Sequence, residues 1–411
     1  MSHKKTADQV LVRELNLSHV LRYIHNEAPV SRAQIAHATG LNKSTVSSLA
    51  EALIARRLIH ETGTHLGSTG RPAIYLEIDP QAGCIIGVEF GVDFIAVALA
   101  DFCGLILWRE SVETNPSDDQ ECAFQQSFTL IKRAIEFAKD KGFTLLGIGL
   151  SAPGPVDIHK GQLLFAPNLQ WKDVPMREIF SRRTGLEVFV ENDANAAAIA
   201  EHLFGKARRD TDFILLYVGV GLGGGLFLNG KLYRGKNGYA GEIGHLPVFA
   251  DPLQSPCRCG KRGCWEAYTN QHVLIQKTHK QLAAGHDGTL ARMVSDGGKS
   301  LSLATIKLAA EEGDHIALEA LSDTGAVLGQ GIAHLINIFN PEKIILGGPL
   351  SVVGEHLIPS IREAMVEHLY PFPSPHIDVE ISDFGPDVSL VGAIAIVVEN
   401  ILANPARIER R

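Results

Sequence analysis

Three cysteines and one histidine in the middle of the chain are spaced as ligands of a metal ion. Cys257, Cys259 and Cys264 lie close together, and His245 precedes them by twelve residues. Three thiolates and one imidazole make up a tetrahedral ligand set for Zn²⁺. Because four protein ligands leave no open position for a substrate, the sequence predicts one structural zinc ion per chain, not a catalytic one.

Side chains that suit the hydroxyl groups of a ligand accompany this motif. Asn192 and Asp193 stand where a strand is predicted to end and a helix of small residues to begin, and the N-terminus of a helix stabilises a carboxylate. Asp193 can accept a proton or a hydrogen bond from a hydroxyl group, although a helix N-cap is the alternative for such a residue. The zinc loop is expected to hold Glu242 and Glu266 in place.

Two glycine-rich turns follow predicted strands, at residues 219–225 and 347–349. A turn of this kind brings backbone amides close to a phosphate group, but it also forms in an ordinary tight hairpin. The sequence leaves both interpretations open.

The elements that must position these groups form two similar units. Residues 84–112 predict three short strands joined at glycines, and helices and further strands follow; a comparable order recurs from residue 213. We therefore predict an α/β fold with two lobes and a cleft between them. The first lobe covers 84–195 and is joined by a C-terminal helix at 388–403, and the second lobe covers 196–387 and carries the zinc motif.

Residues 1–79 predict a winged helix-turn-helix that binds DNA. The second of three predicted helices opens with a capping box formed by Ser31 and Gln34, and Gly40 allows the sharp turn that ends it. The third helix begins near Asn42, and two short strands follow around a glycine-rich loop. A small helical bundle that contacts another protein is the alternative.

The candidate DNA contacts lie on the third helix and on the wing. Short polar side chains suit base edges and phosphates in the major groove, and a basic residue at the tip of a wing suits a narrow minor groove. The candidates are Asn42, Lys43, Ser44, Thr45, Ser47 and Ser48 on the helix, with His65 and Arg71 on the wing.

The charge of the 411 residues is unevenly divided. The whole chain carries 38 Lys and Arg against 46 Asp and Glu, a net charge of −8, which excludes a protein that coats nucleic acid along its entire length. Residues 1–79, however, carry nine basic and seven acidic side chains, so the acidic excess lies entirely in the body. A polar start, the cysteine spacing and the lack of an apolar run of about 18 residues predict a cytoplasmic protein without a membrane span.

Several segments together resemble the ROK family of repressors and sugar kinases. They read SRAQIAHATGLNKSTVS and GRPAIYL near the start, then GLSAPGPVD, ENDANAAA, GYAGEIGHLPV and CRCGKRGCWE. The resemblance spans nearly the whole chain and is closest to the family's transcriptional regulators, because the kinase members lack the DNA-binding front end. It implies an actin-like, two-lobed ATPase fold with a sugar site in the cleft.

The resemblance also implies which residues bind the sugar. The candidates by motif are Gly154, Asn168, Asn192, Asp193, Glu242, His245 and Glu266. In the kinase members, the Asp at position 193 is the base that activates the sugar hydroxyl.

One segment departs from the kinase pattern. The kinase members carry a phosphate loop reading Asp-x-Gly-Gly-Thr, and this chain has Glu89-Phe90-Gly91-Val92-Asp93. Val92 adds a side chain where backbone must approach phosphate, and Asp93 adds a negative charge. Two like charges about 4 Å apart, at an effective dielectric constant near 20, repel by roughly 4 kcal/mol. Phosphoryl transfer depends on positioning and charge neutralisation, so this loop predicts a degenerate kinase fold that is not an enzyme.

Two functions follow from these patterns. The leading hypothesis is a sugar-responsive transcription factor that represses carbohydrate uptake or catabolism genes. A sugar releases this repressor from operator DNA, and the repressor acts as a dimer or higher homo-oligomer. The alternative is an ATP-dependent sugar kinase of the ROK family with a DNA-binding appendage. A regulator that responds to a phosphosugar, or to a transport-system protein as partner, also stays open.

Overall fold

The N-terminal unit contains three helices and a small antiparallel sheet. The computed structural model describes residues 9–65, 73–115, 119–248, 255–285, 287–295, 298–371 and 377–408. The elements of this unit are α1 Gln9–Glu27, β1 Val30–Ser31, α2 Arg32–Thr39, α3 Lys43–Ile54, β2 Ile59–His65 and β3 Ala73–Ile78, with strand order β1-β3-β2.

Local interactions specify the turn between α2 and α3. The Ser31 side chain accepts from the Gln34 amide, the Gln34 side chain accepts from the Ser31 amide, and Gly40 ends α2 in the left-handed conformation with φ of 71°. Asn42 caps α3, whose apolar face buries Val46, among others. The predicted winged helix-turn-helix is confirmed.

The middle of the chain builds a five-stranded sheet with order β11-β7-β4-β5-β6, which is called the first sheet below, and a small separate sheet of β8, β9 and β10. The elements are β4 Cys84–Phe90, β5 Phe94–Asp101, β6 Ile106–Glu113, α4 Gln120–Asp140, β7 Leu145–Ala152, β8 Val156–Asp157, β9 Gln162–Ala166, β10 Trp171–Val174, α5 Met176–Thr184, β11 Val188–Asn192 and α6 Asp193–Leu203.

The remaining residues build the second sheet, with order β14-β13-β12-β15-β16. The elements are β12 Phe213–Val218, β13 Leu222–Leu228, β14 Lys231–Leu232, α7 Glu266–Thr269, α8 Gln271–Ala283, α9 Thr289–Ser295, α10 Leu303–Glu311, α11 His315–Phe339, β15 Lys343–Gly347, α12 Gly354–His368, β16 Asp378–Ile381 and α13 Val388–Ala403.

The two sheets have the same topology. In each one, an antiparallel hairpin and a third strand come first (β4, β5 and β6; β12, β13 and β14), and two later strands add in parallel beside the first strand (β7 and β11; β15 and β16). The repeated order read from the sequence is therefore a true internal duplication, as expected of an actin-like fold.

Two helices, α6 and α13, pack between the sheets. The α13 helix lies on β4 and β7 of the first sheet, and α6 lies on β12 and β13 of the second. Their backbones approach closely, because a Cβ at Gly392 of α13 would lie 2.3 Å from the Ala196 backbone of α6, and one at Gly225 of β13 would lie 2.4 Å from the Ala194 oxygen. The predicted lobe division after residue 195 falls inside α6.

The position of α13 between the two sheets explains why it is the most apolar helix of the described residues. Residues Gly385–Ala403 are long and apolar enough to cross a membrane, but 72% of their most apolar window is buried inside the protein. The helix supplies the central layer of the core that both sheets share.

The N-terminal unit packs directly on this central layer. The Ser18 hydroxyl of α1 donates to the Leu402 carbonyl at 2.7 Å, and the Arg22 guanidinium pairs with Glu399 through two nitrogens at 2.7 and 3.1 Å. The Arg208 guanidinium, in the loop after α6, donates to the His25 carbonyl at 3.0 Å. Helix α1 therefore contacts both α13 and the loop that follows α6.

Candidate ligand cleft and metal centre

A cavity of about 310 Å³ opens between the two sheets. Its volume is at the lower end of the range of small-molecule sites. All seven candidate sugar contacts named above line it, although they come from five separate segments of the chain: Gly154, Asn168, Asn192, Asp193, Glu242, His245 and Glu266.

Asn192 and Asp193 are held at the cavity by the start of α6. Asn192 is the N-cap, because its side-chain oxygen accepts from the Asn195 amide at 3.1 Å, and its amide nitrogen donates to the Gly154 carbonyl at 3.1 Å. One oxygen of Asp193 accepts from the Ala194 amide at 2.9 Å and from Asn192 at 2.8 Å. The N-cap alternative thus describes Asn192, and Asp193 lines the cavity.

The Asp193 carboxyl is tuned close to neutral pH. Burial raises its pKa to about 7, and the neighbouring Glu242 carboxylate adds to the rise, while the two hydrogen bonds oppose it. A carboxyl with such a pKa exchanges its proton near physiological pH, which suits hydrogen bonding to a hydroxyl group.

An ion pair between a half-buried arginine and a buried glutamate, which no pattern in the sequence indicates, joins two of the lining segments. The Arg234 guanidinium donates to Glu191 from Nε at 2.8 Å and from a terminal nitrogen at 2.7 Å. Glu191 is buried and precedes Asn192, whereas Arg234 leads into the segment that carries Glu242. Both residues are visible in the sequence, but no spacing rule pairs positions 43 residues apart.

The predicted zinc ligands come together beside the cavity. One ligand atom from each of Cys257, Cys259, Cys264 and His245 lies within 4.8 Å of all the others. The Cys259 and Cys264 sulfurs are 3.7 Å apart, as are the Cys257 sulfur and His245 Nδ1. A tetrahedron with metal–sulfur bonds near 2.3 Å has an edge of about 3.8 Å, so these two pairs of ligand atoms have the spacing of a tetrahedral metal site.

His245 faces the metal centre with one nitrogen and the cavity with the other. Nδ1 lies on the cysteine side, and Nε2 lies 3.8 Å from Glu242 Oε2. Glu266 Oε1 accepts from the Cys257 sulfur at 2.7 Å and lies 3.6 Å from His245 Nδ1. The metal centre and the polar wall of the cavity therefore share side chains, which explains how one histidine can appear in both predicted sets.

Asn168 and Gly154 approach the cavity from the first half of the chain. Asn168 Oδ1 accepts from the Arg258 guanidinium at 3.3 Å, so this asparagine contacts the zinc loop. Gly154 has φ of 108°, and a Cβ there would lie 2.2 Å from the Phe165 carbonyl oxygen. The close approach requires glycine, and its carbonyl orients Asn192.

Comparison with known proteins shows which family this chain belongs to. The ROK family model matches residues 85–400, and the IclR helix-turn-helix domain matches residues 16–63. The chain belongs to the ROK family. A xylose repressor from Caldicellulosiruptor bescii is 32% identical over 400 residues, which cover 97% of this chain and 99% of the relative.

Two solved structures of ROK proteins share the fold. The crystal structure of a ROK family transcriptional regulator, a homolog of the E. coli MLC protein, has a TM-score of 0.80 at 28% identity and covers 96% of this chain and 97% of its own. A ROK family glucokinase from Streptomyces griseus, crystallised with glucose and AMPPNP, has a TM-score of 0.68 at 34% identity. The glucokinase covers 76% of this chain and 99% of its own.

In this ROK protein, Glu89, the first residue of the segment 89–93, bridges the two sheets. The Tyr217 hydroxyl of β12 donates to Glu89 of β4 at 2.7 Å, and Glu89 is 1% exposed. At the other end of this segment, Asp93 accepts a hydrogen bond from Gln271 Nε2 at 3.5 Å. Burial raises the pKa of Glu89 to about 8, so at neutral pH most of this carboxyl is protonated and carries no charge.

The Glu89→Gln variant is expected to be more stable than the unaltered protein at pH 8, and this advantage should nearly vanish at pH 5. Glu89 loses its proton near pH 4.5 in the unfolded chain and near pH 8 in the folded protein. The free energy of unfolding of the unaltered protein therefore falls by about 1.4 kcal/mol per pH unit between these values. Glutamine keeps the Tyr217 hydrogen bond and removes the titration. Thermal unfolding from pH 5 to pH 8 measures the difference in stability between the variant and the unaltered protein, and Glu136→Gln at an exposed position is the control. A difference that does not change with pH would contradict the raised pKa of Glu89.

The two glycine-rich turns are part of sheet structure. Residues 219–225 form the β12–β13 hairpin, whose second strand packs tightly on α6, and residues 347–349 form the end of β15 and the turn after it. Gly219, Gly221, Gly223 and Pro349 nevertheless line the cavity, so the hairpin interpretation and an approach to ligand are compatible.

The predicted DNA contacts on α3 lie on its exposed side. Lys43, Ser44 and Ser48 are exposed, and Thr45 and Ser47 are half-buried. The Asn42 side-chain oxygen is used for capping, since it accepts from the Thr45 amide at 2.7 Å. His65 ends β2, and Arg71 lies outside the described residues. The DNA-binding roles stay predictions.

Proposed function

We propose that this ROK protein is a sugar-responsive repressor, which binds operator DNA through its winged helix-turn-helix and releases it when a sugar occupies the cavity. The observation that carries the proposal is the course of α6. The helix begins at the cavity with Asn192 and Asp193, and Phe204 and Arg208, which follow it, contact His25 of α1 in the DNA-binding unit. The full-length similarity to a xylose repressor supports the same assignment.

The proposed sugar contacts follow from the geometry of the cavity. Asp193 and Glu242 accept hydrogen bonds from sugar hydroxyls, and Asn192 and Asn168 offer amide groups beside them. His245 contacts the sugar with Nε2, Glu266 completes the polar wall, and Gly154 contributes backbone. Carboxylates and amides in this arrangement suit several neighbouring hydroxyl groups of one sugar ring.

The Cys₃His cluster is the proposed zinc site. A zinc ion held by Cys257, Cys259, Cys264 and His245 cross-links the loop to the segment that carries Glu242. The protein side chains then present a fixed His245 ring and a fixed Glu266 to the ligand. The role is structural, because all four ligand positions are taken by protein atoms.

The ligand signal is proposed to pass through α6 and α13 to α1. His25 of α1 lies with its ring 6.2 Å from the ring of Phe204, directly after α6, and the Arg22–Glu399 pair joins α1 to α13. A ligand that changes the distance between the sheets displaces these two packed helices against each other. The shift alters the position of the DNA-binding unit and thereby its affinity for the operator.

Glu399→Gln is expected to weaken the coupling and to preserve both binding activities. The pair is about one-third exposed on each side, so its loss should cost less than about 1 kcal/mol of stability. We expect the factor by which sugar lowers operator affinity to fall about two- to tenfold. Asp387→Asn removes a similar ion pair, with Arg109, just before α13 and is the matched control. A full response in Glu399→Gln would contradict this route.

The second candidate function is a ROK sugar kinase, which the similarity to the Streptomyces griseus glucokinase favours. Asp193 would then be the base that takes the proton of the sugar hydroxyl. Against it stand the Glu89–Tyr217 bridge, the Val92 side chain and the Asp93 carboxylate, which occupy the position of the phosphate loop. We therefore propose that the chain is not a kinase.

One experiment separates these functions. A duplex selected from a random library by the unaltered protein is titrated in the presence of hexoses, pentoses, N-acetylated sugars and their phosphates, and ADP release with ATP is measured on the same panel. The proposal predicts release of the duplex by a sugar without ADP formation. Sugar-dependent ADP release that disappears in Asp193→Asn would establish the kinase instead.

We propose a cytoplasmic repressor that acts as a homodimer, so that two DNA-binding units meet a palindromic operator. A transport-system protein as an additional partner stays an alternative, and operator release without any sugar would favour it.

A further inference from the structure

A second groove lies far from the cleft, between α1 and α3 of the N-terminal unit. Half of its lining comes from the first half of α1 and half from α3. The lining residues are Gln9, Val12, Arg13, Asn16, Ser44, Thr45, Ser48 and Leu49. The groove therefore has one cationic side chain and several hydrogen-bonding groups, and its lining includes no carboxylate.

Among the described residues of this unit, the Arg13 and Arg57 side chains have no protein partner, and of these two only Arg13 lines the groove. Arg22 pairs with Glu399, Arg32 pairs with Glu61, and Arg56 donates to the Ala52 carbonyl. Within the described ranges, Arg13 makes no ion pair and no hydrogen bond. A cation that the fold does not use is free to neutralise an external charge.

The groove opens toward the same side as the predicted base-reading residues. Ser44 and Ser48 are exposed, belong to the first part of α3 and also line the groove. In a helix-turn-helix, the first part of the recognition helix enters the major groove, so the phosphate strand that borders the major groove passes beside it. Arg, Ser, Asn and Gln side chains are the usual partners of that strand.

We propose that this groove receives a phosphodiester strand of duplex DNA, with Arg13 as its phosphate contact and Asn16 and Gln9 as neighbouring hydrogen-bond donors. The inference rests on the proposed function and adds α1 to a DNA interface that the sequence assigned to α3 and the wing. Arg13 supplies affinity that is independent of base sequence, whereas α3 supplies the discrimination.

The test compares Arg13→Gln with the full-length unaltered protein on a selected duplex and on a scrambled duplex, over a range of salt concentrations. Loss of one phosphate contact should reduce the slope of log affinity against log salt by about 1. It should also lower the affinity of the protein for both duplexes about three- to tenfold. The ratio between the two duplexes and the affinity for sugar should not change. Arg13→Lys should restore most of the slope.

The control is Lys132→Gln on α4, which makes the same change in net charge far from the groove and should leave the slope unaltered. An unchanged slope in Arg13→Gln, while the unaltered protein binds the duplex and responds to sugar, would overturn this inference alone. A change in the specificity ratio would also overturn it, because Arg13 would then contact bases. Failure of the unaltered protein to bind any duplex would overturn both this inference and the proposed function.

Discussion

Replacing Asp193 with alanine should lower sugar affinity about 100-fold and leave operator affinity unchanged. The variant removes a hydrogen bond between a charged group and the ligand, and it leaves the Asn192 side chain without one of its partners. Together these losses are worth about 3 kcal/mol, which corresponds to about two orders of magnitude in affinity. The measurement is calorimetric or fluorescence titration with the sugar that releases the operator.

The pH dependence of sugar binding identifies the form of Asp193 that binds. The pKa of this carboxyl is raised to about 7, so below that pH the proton must leave before the carboxylate can accept a bond from a hydroxyl group. Affinity should rise about tenfold per unit up to pH 7 and level off above it. The Asp193→Asn variant cannot titrate and should show weak binding without this rise. A flat or falling profile in the unaltered protein would show that the protonated form binds.

Replacing Cys259 with serine should remove the metal ion and most of the sugar response. Serine is a poor ligand for zinc, and three remaining ligands hold the ion weakly. Without the cross-link, His245 and Glu266 lose their fixed positions at the cavity wall, which should weaken sugar binding about 10- to 100-fold. Metal content and sugar-dependent release of the operator are measured on the same preparation.

Cys103→Ser is the matched control for this variant, because Cys103 is exposed and lies outside the cluster. It should keep both the metal and the response. A Cys259→Ser protein that lacks metal and still responds fully to sugar would disprove the structural role of the metal ion.

What could be predicted from the sequence was local or carried by a motif. The capping box at Ser31, the turn at Gly40 and the cysteine spacing each depend on residues close together in the chain, so their geometry follows from spacing. The seven cavity residues were predicted by resemblance to a family, and the fold brings them together around one cavity. Their roles in binding remain proposals.

The contacts that could not be predicted join distant parts of the chain. The Arg234–Glu191 pair, the Tyr217–Glu89 bridge and the Arg22–Glu399 pair have sequence separations of 43, 128 and 377 residues. No periodicity or cap specifies such partners, because they depend on how α6, α13 and the two sheets stack. The Tyr217–Glu89 bridge joins the two sheets, and the Arg22–Glu399 pair joins α13 to the DNA-binding unit.

If sugar and operator are coupled through the structure of the protein, each weakens the binding of the other, and reciprocal titration measures both effects. Sugar affinity is measured for the free protein and for the protein saturated with its selected duplex. We expect the operator to weaken sugar binding by the same factor by which sugar weakens operator binding, because both factors express one coupling free energy. Equal sugar affinities with and without the operator would contradict it.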